Sequence, residues 1–173
     1  MESGAVKMRN LLKDRRGSVG VNVILIMLLV VFLGTIVLEY SRVMSVRDTL
    51  EYECQRAVNT ALEYAMRDEY RQDGINILDP DLANIQFHAY FSGFMGLSGS
   101  GNSYACYDEN GKLEYTLTVD SLEIVSGEAD GTEPSVTAHL TAVISNTFRD
   151  LLGADTAISI EVASRNDQIG GEE

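Results

Sequence analysis

Two histidines are the residues of this sequence best suited to acid–base chemistry or metal binding. His88 and His139 lie far apart along the chain, each on the polar side of a segment that alternates apolar and polar residues. Because that position is typical of a solvated strand residue, we interpret both as surface histidines and not as metal ligands. No serine stands in the G-x-S-x-G arrangement of a nucleophile elbow. The sequence therefore predicts no catalytic residue, no metal site and no enzymatic activity.

Four carboxylates stand close to predicted turns, namely Asp79, Asp81, Asp108 and Glu109. A calcium loop needs oxygen ligands at fixed spacing around a glycine, and these residues do not show that pattern. The Asp-Pro-Asp run at 79–81 is instead typical of the start of a turn. The glycine-rich segment 92–103 lacks the lysine and the following helix of a phosphate-binding loop. We therefore predict a flexible surface loop there, and no cofactor.

The sequence contains two cysteines, Cys54 and Cys106, which are too few for a disulfide-dense scaffold. They do not form a C-x-x-C pair, so a cysteine zinc site is excluded. We expect Cys54 on the apolar side of a helix and Cys106 on the apolar face of a strand, both directed at the core. Two alternatives remain open. A single disulfide would close a loop of about 50 residues and add about 4 kcal/mol at most. Otherwise the core holds two free thiols.

The charge of this 173-residue chain is divided between a basic head and an acidic body. The net charge is −13, yet residues 1–17 hold five cations against two anions, which leaves 8 cations and 24 anions for the remainder. An acidic body repels phosphate, so we predict no nucleic-acid partner. A hydrophobic content of 45% is ordinary for a folded protein. The length fits one compact domain plus an anchor.

The anchor is the uncharged run of 20 residues at 19–38. As a helix it spans about 30 Å, the thickness of a bilayer core. A core helix usually keeps a polar stripe, which is missing here. A cleavable signal has an apolar run of roughly 7–15 residues and small residues at the cut, whereas Glu39-Tyr40-Ser41-Arg42 follows this one. We therefore predict a retained transmembrane helix.

The cations before the span predict a cytoplasmic N-terminus and a body outside the cell membrane, with the lipid bilayer as the first partner. Asn22 is the one strongly polar residue in the span; it either reaches interfacial water or bonds to a neighbouring helix. The predicted parts are a basic cytoplasmic leader at 1–18, a transmembrane helix at 19–38, an amphipathic helix at 39–70, an extracytoplasmic β-rich domain at 71–165 and a polar tail at 166–173.

The helix is predicted to continue past the membrane surface, because no proline or glycine occurs between residues 39 and 70. Apolar or small residues recur at steps of three and four from 43 to 66, which is typical of a helix packed on a core. Gln-Asp-Gly at 72–74 supplies its stop signal. A separate surface helix after a break at the interface is the alternative.

Alternating residues then predict four or five antiparallel strands, so the fold class is α+β, with the long helix packed on a small sheet. Ile85, Phe87, Ala89 and Phe91 give the first strand. Asn110-Gly111 predicts a two-residue hairpin turn between 104–109 and 112–125, with a bulge near 120–121. In that register, Glu109 faces Lys112, Cys106 faces Tyr115 and Tyr104 faces Leu117. Further segments are an acidic turn at 127–134, strands at 136–144 and 158–162, and a short helical turn at 148–152.

Residues 15 to about 60 resemble the N-terminal region of TadE/TadG-like proteins of the tight-adherence (Flp) pilus system. The lead Arg-Arg-Gly-Ser-Val at 15–19 resembles the family's basic-Gly-Ser entry into the span. The run Gly-Thr-Ile-Val-Leu-Glu-Tyr-Ser-Arg at 34–42 resembles the end of the span, with its Gly, Glu, small residue and Arg. An alanine-containing amphipathic helix follows at 50–65. About a quarter of the chain is covered.

The resemblance implies a processing site between Gly17 and Ser18, where a prepilin peptidase cuts the pseudopilin members. Those members carry Glu five residues after the cut, to pair with a neighbour's N-terminal amine. Asn22 stands at that position here and supplies no negative charge, which favours an uncleaved anchored component. Asn22 and Glu39 are the candidate contacts with neighbouring helices.

The leading functional interpretation is a membrane-anchored structural or assembly component of a Tad-type pilus or related secretion system, similar to a minor pseudopilin. Its partners would be other pilus or secretion subunits, bound through the N-terminal helix, with no small-molecule substrate. The alternative is a single-pass anchored extracytoplasmic ligand-binding module that uses the 92–103 loop as its contact site.

Overall fold

The computed structural model describes residues 15–66, 77–127, 132–145 and 155–165, with only the helical backbone for 15–19. Within these ranges the elements are helix α1 (Arg15–Ala65), helix α2 (Pro80–Gly93) and strands β1 (Ser98–Ser100), β2 (Ser103–Tyr107), β3 (Leu113–Val125), β4 (Ser135–Ile144) and β5 (Thr156–Arg165). The strands form one antiparallel sheet in the order β1-β2-β3-β4-β5. The predicted α+β class is confirmed. The chain divides into two compact units, Met1–Arg42 and Val43–Glu173.

In the first unit, the most apolar residues of α1 are exposed. An 18-residue window has a mean hydropathy of 3.0, and none of it is buried within the protein. Met27 and Leu38 are 66% and 71% exposed. A core helix would bury such a window, so the core-helix alternative does not apply. Among the described residues, α1 is the one helix long and apolar enough to cross a membrane.

In the second unit, one face of the later part of α1 packs into the core. This agrees with the apolar or small residues that recur at steps of three and four from 43 to 66. Leu50, Cys54 and Ala57 are at most 1% exposed, and Ala61 and Ala65 are fully buried one and two turns further on. These residues belong to the same hydrophobic core as the buried residues of the sheet. The predicted stop signal at 72–74 lies outside the described residues.

The prediction of a strand at 85–91 is wrong, because these residues belong to α2. Asp79 is the N-cap of this helix, and its carboxylate accepts from the backbone N–H groups of Asp81 and Leu82. Pro80 at the first helical position suits the fixed φ of proline. The pair Phe87 and Phe91, four residues apart, is fully buried on one face. The N-cap and the four-residue spacing favour a helix more strongly than the alternation of apolar and polar residues favours a strand.

The segment 92–103, predicted as a flexible loop, contains ordered structure. β1 and β2 form a tight hairpin in which Ser98 pairs with Ala105 and Ser100 with Ser103. Gly99 adopts φ +149°, and a Cβ there would collide with the Ser103 carbonyl. Glycine is therefore required at this close backbone approach. The exposed end of α2 and this hairpin replace the predicted loop.

The β2–β3 hairpin confirms the predicted pairs of Cys106 with Tyr115 and of Tyr104 with Leu117. The pairing of Glu109 with Lys112 is wrong, because the register shifts after Cys106 and Tyr107 pairs with Leu113. Residues 108–112 form the turn, closed by a 2.9 Å bond from the Asp108 N–H to the Lys112 carbonyl. The shift leaves an extra residue on β3, which forms a bulge. The predicted hairpin with its two-residue turn did not include this bulge.

Strands β3, β4 and β5 follow the predicted alternation. The predicted bulge lies at Asp120, where the register with β4 shifts between Val119 and Ser121. Every second residue of β4, from Val136 to Ile144, is buried at 0% exposure. The residues between them form a polar face, as expected for a sheet covered on one side. The predicted helical turn at 148–152 and the tail at 166–173 lie outside the described residues, as do residues 128–131 of the acidic turn.

Candidate functional site

The carboxylates near turns hold backbone conformations. Asp79 caps α2, as described above. The Asp108 carboxylate accepts from the backbone N–H groups of Asn110 and Lys112, both at 2.8 Å. These bonds, led by the one from Lys112, lower the pKa of Asp108 below its usual value. Glu109 is exposed in the same turn. Among the described residues, no three His, Cys, Asp or Glu side chains lie close enough together to hold a metal ion.

His88 and His139 have different surroundings. His139 lies on the polar face of β4, with Nδ1 at 3.9 Å from Glu161 on β5. The prediction of a solvated His88 is wrong, because α2 places it half-buried beside the β1–β2 hairpin. Its Nδ1 lies 2.8 Å from the Tyr104 hydroxyl, and the two rings are stacked. Burial lowers the pKa of His88, and a bond to the Gly101 backbone partly offsets this. His88 therefore fastens α2 to the hairpin.

Both cysteines are free thiols in the structure. Cys54 is completely buried, and burial together with the charge of Glu53 raises its pKa to about 12. Cys106 is half-buried, and burial raises its pKa as well. Tyr115 interacts with both thiols, and burial raises its pKa. Neither thiol is activated as a nucleophile, since activation requires a lowered pKa.

A groove between α1 and α2 is the most distinctive surface of the domain. It has a volume of about 270 Å³ and is lined by Glu53, Arg56, Tyr90, Phe94 and Met95. The Phe94 ring stacks on Tyr90 with centroids 5.3 Å apart, yet Phe94 is 78% exposed. The groove therefore has an exposed aromatic ring at its edge.

Hydrogen bonds fix the polar wall of this groove. The Tyr90 hydroxyl donates to Glu53 Oε2 at 2.6 Å, which joins α2 to α1. Burial, followed by this bond and the charge of Glu53, raises the pKa of Tyr90 to about 12, so the phenol stays protonated. The Arg56 guanidinium lies 3.8 Å from Glu53 and 5.8 Å above the ring of Tyr52, which is 63% exposed. A cation and three aromatic rings thus share one surface.

The outward side of α2 carries exposed apolar residues among exposed polar ones such as Asn84 and Ser92. Ile85 is 61% exposed, Leu82 is 38% exposed, and Ala89 follows one turn later. From residue 80 to 95 the sequence contains one carboxylate, Asp81, and no lysine or arginine. In a chain with a net charge of −13 this is a locally uncharged surface. Exposed Tyr and Arg with few charges are typical of the centres of protein interfaces.

The sequence interpretation missed this surface because it placed residues 85–91 in a strand. In that register Ile85 faces the core, whereas the helix exposes it. The signal that would have found it is the Asp79-Pro80 helix start, followed by buried residues at 83, 87, 90 and 91. The residues that line the groove include no nucleophile aligned with a base, so the groove is suited to contact by shape and stacking.

The residues that resemble the pilus family lie in α1. Gly17 and Ser18 fall within its helical backbone. Asn22 is exposed on the helix. Glu39 Oε1 lies 3.4 Å from Arg42 Nη1, one turn on. The predicted helix contacts at Asn22 and Glu39 remain predictions.

No protein-family model matches the chain, and no significant similarity to a curated protein or to a solved structure was found.

Proposed function

We propose that this protein is a membrane-anchored assembly subunit of a pilus or secretion machine of the tight-adherence type, without enzymatic activity. In this proposal residues 19–38 span the cell membrane with the N-terminus in the cytoplasm. The domain formed by residues 43–165 lies outside. Other subunits bind through the N-terminal helix.

The continuity of α1 carries the proposal. One helix contains an apolar window with no buried residue and, further on, the fully buried Leu50, Ala57 and Ala61. Exposed aliphatic side chains each forgo about 1.5–3 kcal/mol of burial energy in water, so a stretch of them favours a lipid environment. A helix that is apolar and exposed in its first part and buried in a domain core in its later part suits a subunit held in a membrane.

The motifs of the resemblance add support. Gly17-Ser18 precedes the span, and Glu39 and Arg42 form an ion pair near its end. The described residues contain no cluster suited to metal chemistry, and both thiols have raised pKa values. These observations favour a structural role over a catalytic one.

The experiment is a deletion of the gene in cells that assemble such pili, followed by complementation. We expect loss of surface pili, restored by the wild-type chain. A matched chain with the same domain on an unrelated transmembrane helix should reach the membrane and fail to restore them. Normal pili in the deletion strain, together with an even distribution of the protein in the membrane of wild-type cells, would contradict the proposal.

Processing is tested separately by expressing the chain with the matching prepilin peptidase and measuring the mature N-terminus by mass spectrometry. A Gly17→Leu variant is the matched control for a cut after Gly17. Cleavage would identify a pseudopilin that tolerates Asn22. An intact N-terminus would identify a permanent anchor.

The groove lined by Tyr90 and Phe94 favours a second candidate function, an anchored extracytoplasmic ligand-binding module. Phe94 lies in the segment 92–103 that the sequence interpretation chose as the contact site. Saturable ligand binding that is lost on Phe94→Ala, in cells whose pili are unaffected by the deletion, would favour this candidate.

A further inference from the structure

We infer that the outer edge of β5 is a docking site for an extended segment of another protein, which adds to the sheet as a further antiparallel strand. β5 is the last strand in the order of the sheet, so one of its edges pairs with no other described strand. The partner segment alternates apolar and polar residues and carries a basic residue opposite Glu161. This surface belongs to the domain alone and does not depend on the membrane anchor.

The direction of the backbone groups along β5 follows from its neighbours. The N–H of Ser145, directly after β4, donates to the Glu114 carbonyl at 2.9 Å. Since bonding direction alternates along an antiparallel strand, the odd-numbered residues of β4 are bonded to β3 and the even-numbered ones to β5. Ala138 pairs with Val162, so the even-numbered residues of β5 are directed at β4. The N–H and C=O groups of residues 157, 159, 161 and 163 therefore point away from the sheet.

The outward backbone groups select the kind of occupant. The Ala163 carbonyl accepts a 2.9 Å bond from the side-chain amide of Gln55 on α1, which agrees with an outward direction. Within the described residues, the outward groups of Ala157, Ser159 and Glu161 have no hydrogen-bond partner. A row of donors and acceptors at every second residue is complementary to the backbone of another extended strand. The edge is therefore suited to strand addition.

The two edges of the sheet differ in their protection. Natural edge strands are blunted by shortness, proline, lysine or a bulge. β1 has three residues, and Gly99 within it adopts φ +149°. β5 has ten residues in continuous register with β4, and it contains no proline and no lysine. A long, regular edge of this kind is the one that accepts a further strand.

The side chains of β5 define the chemistry of the partner. On the core side, Ile160 is buried and Ile158 only partly, so apolar residues of an added strand would complete the cover of Ile158. On the opposite side, Glu161 is 71% exposed, with His139 Nδ1 at 3.9 Å. A basic residue directly across from this carboxylate stabilises the pair of strands. The net charge of −13 also attracts a cationic segment and repels a second copy of the chain.

Hydrogen exchange of the full chain in detergent micelles tests whether the edge is open. We expect the amides of Ala157, Ser159 and Glu161 to exchange at least about a hundredfold faster than those of the bonded residues Ile158 and Ile160. Equal protection at low protein concentration would show that the chain itself covers the edge. Protection that grows with concentration would show that a second copy does. Either result would overturn the inference.

Two synthetic peptides of equal composition test strand addition itself. Both alternate threonine and valine over nine residues, with lysine in place of the central threonine, which stands opposite Glu161. The first is N-methylated at three valines, whose N–H groups point away from β5. The second is N-methylated at the lysine and its two nearest threonines, whose N–H groups bond to β5.

Binding of the labelled peptides to the full chain is measured by fluorescence anisotropy. We expect the first peptide to bind saturably, with a Kd at least about tenfold lower than that of the second, and to protect the Ser159 amide from exchange. Absence of saturable binding by the first peptide, or equal binding by both, would overturn the inference.

Two variants of the chain locate the binding on β5. Ser159→Pro removes an outward N–H that β4 does not use and should weaken binding of the first peptide about tenfold. Glu161→Lys alters an exposed side chain and should weaken it about threefold, and glutamate in place of the peptide's lysine should restore it. Glu161→Lys keeps the test decisive where Ser159→Pro does not fold. Unchanged binding to the folded variants would overturn the inference.

Discussion

Replacing Ile85 or Phe87 with alanine distinguishes the helix observed at 80–93 from a strand over the same residues. In a strand the two side chains share one face and both enter the core. In α2, Phe87 is fully buried and Ile85 is 61% exposed. The two structures therefore predict the same result for Phe87 and opposite results for Ile85.

The magnitudes follow from burial. Phe87 makes an edge-to-face contact with Phe91, with centroids 5.1 Å apart and an interplanar angle of 88°. Removing such a buried ring costs about 3–5 kcal/mol of unfolding free energy, because a cavity is added to the lost transfer energy. Ile85→Ala at an exposed helical position should change stability by no more than about 0.5 kcal/mol. A buried isoleucine would lose about 2–5 kcal/mol.

The assay is urea unfolding of the detergent-solubilised full chain, followed by tyrosine fluorescence since the chain has no tryptophan. Phe94→Ala, on the same stretch of chain but 78% exposed, is the matched aromatic control and should resemble Ile85→Ala. A loss of 2 kcal/mol or more for Ile85→Ala would refute the helical assignment.

Three further predictions concern single side chains. Asp79→Ala should lower the unfolding free energy by about 1 kcal/mol through loss of the α2 cap; no change in urea unfolding would contradict the capping role. Burial lowers the pKa of His88 below 6.5, so on acidification the unfolded chain takes up a proton before the folded chain does. The unfolding free energy should therefore fall as the pH drops from 6.5 through the lowered pKa. His88→Gln should reduce this fall. In thermal melts at several pH values, His139→Gln is the control, and equal slopes for the two variants would contradict this reasoning. A maleimide applied to the folded chain should label Cys106 at least about tenfold faster than the fully buried Cys54, as measured by peptide mass spectrometry. If both thiols react only after reduction, the two cysteines form a disulfide.

The sheet was predictable because alternating side chains with one buried face have a period that no helix shares. Val136, Ala138 and Leu140 show this two-residue period on β4. The bulge at Asp120 was also readable, since the apolar residues change from odd to even numbers there. The approximate bounds of β2, β3, β4 and β5 and two of the predicted β2–β3 pairs follow from local patterns of this kind, whereas β1 was not predicted.

Residues 85–91 of α2 were predicted as a strand because a short apolar run fits both the spacing of a helix and that of a strand. Phe87 and Phe91 are separated by four residues, which suits one face of a strand and one face of a helix equally. The helix start at Asp79-Pro80 decides between them. The groove was not predictable at all, because it depends on Tyr90 meeting Glu53, 37 residues earlier, through a tertiary hydrogen bond.

The central claim is that α1 anchors the protein in the cell membrane with its domain on the outer side, and a topology measurement tests it most directly. Alkaline phosphatase, active only outside the cytoplasm, and green fluorescent protein, fluorescent only within it, are each fused to the C-terminus of the full chain. A carbonate wash first establishes integral membrane association. We predict a wash-resistant chain with an active phosphatase and a dark fluorescent fusion. A chain released by carbonate, or one with an inactive phosphatase and a fluorescent fusion, would contradict the account.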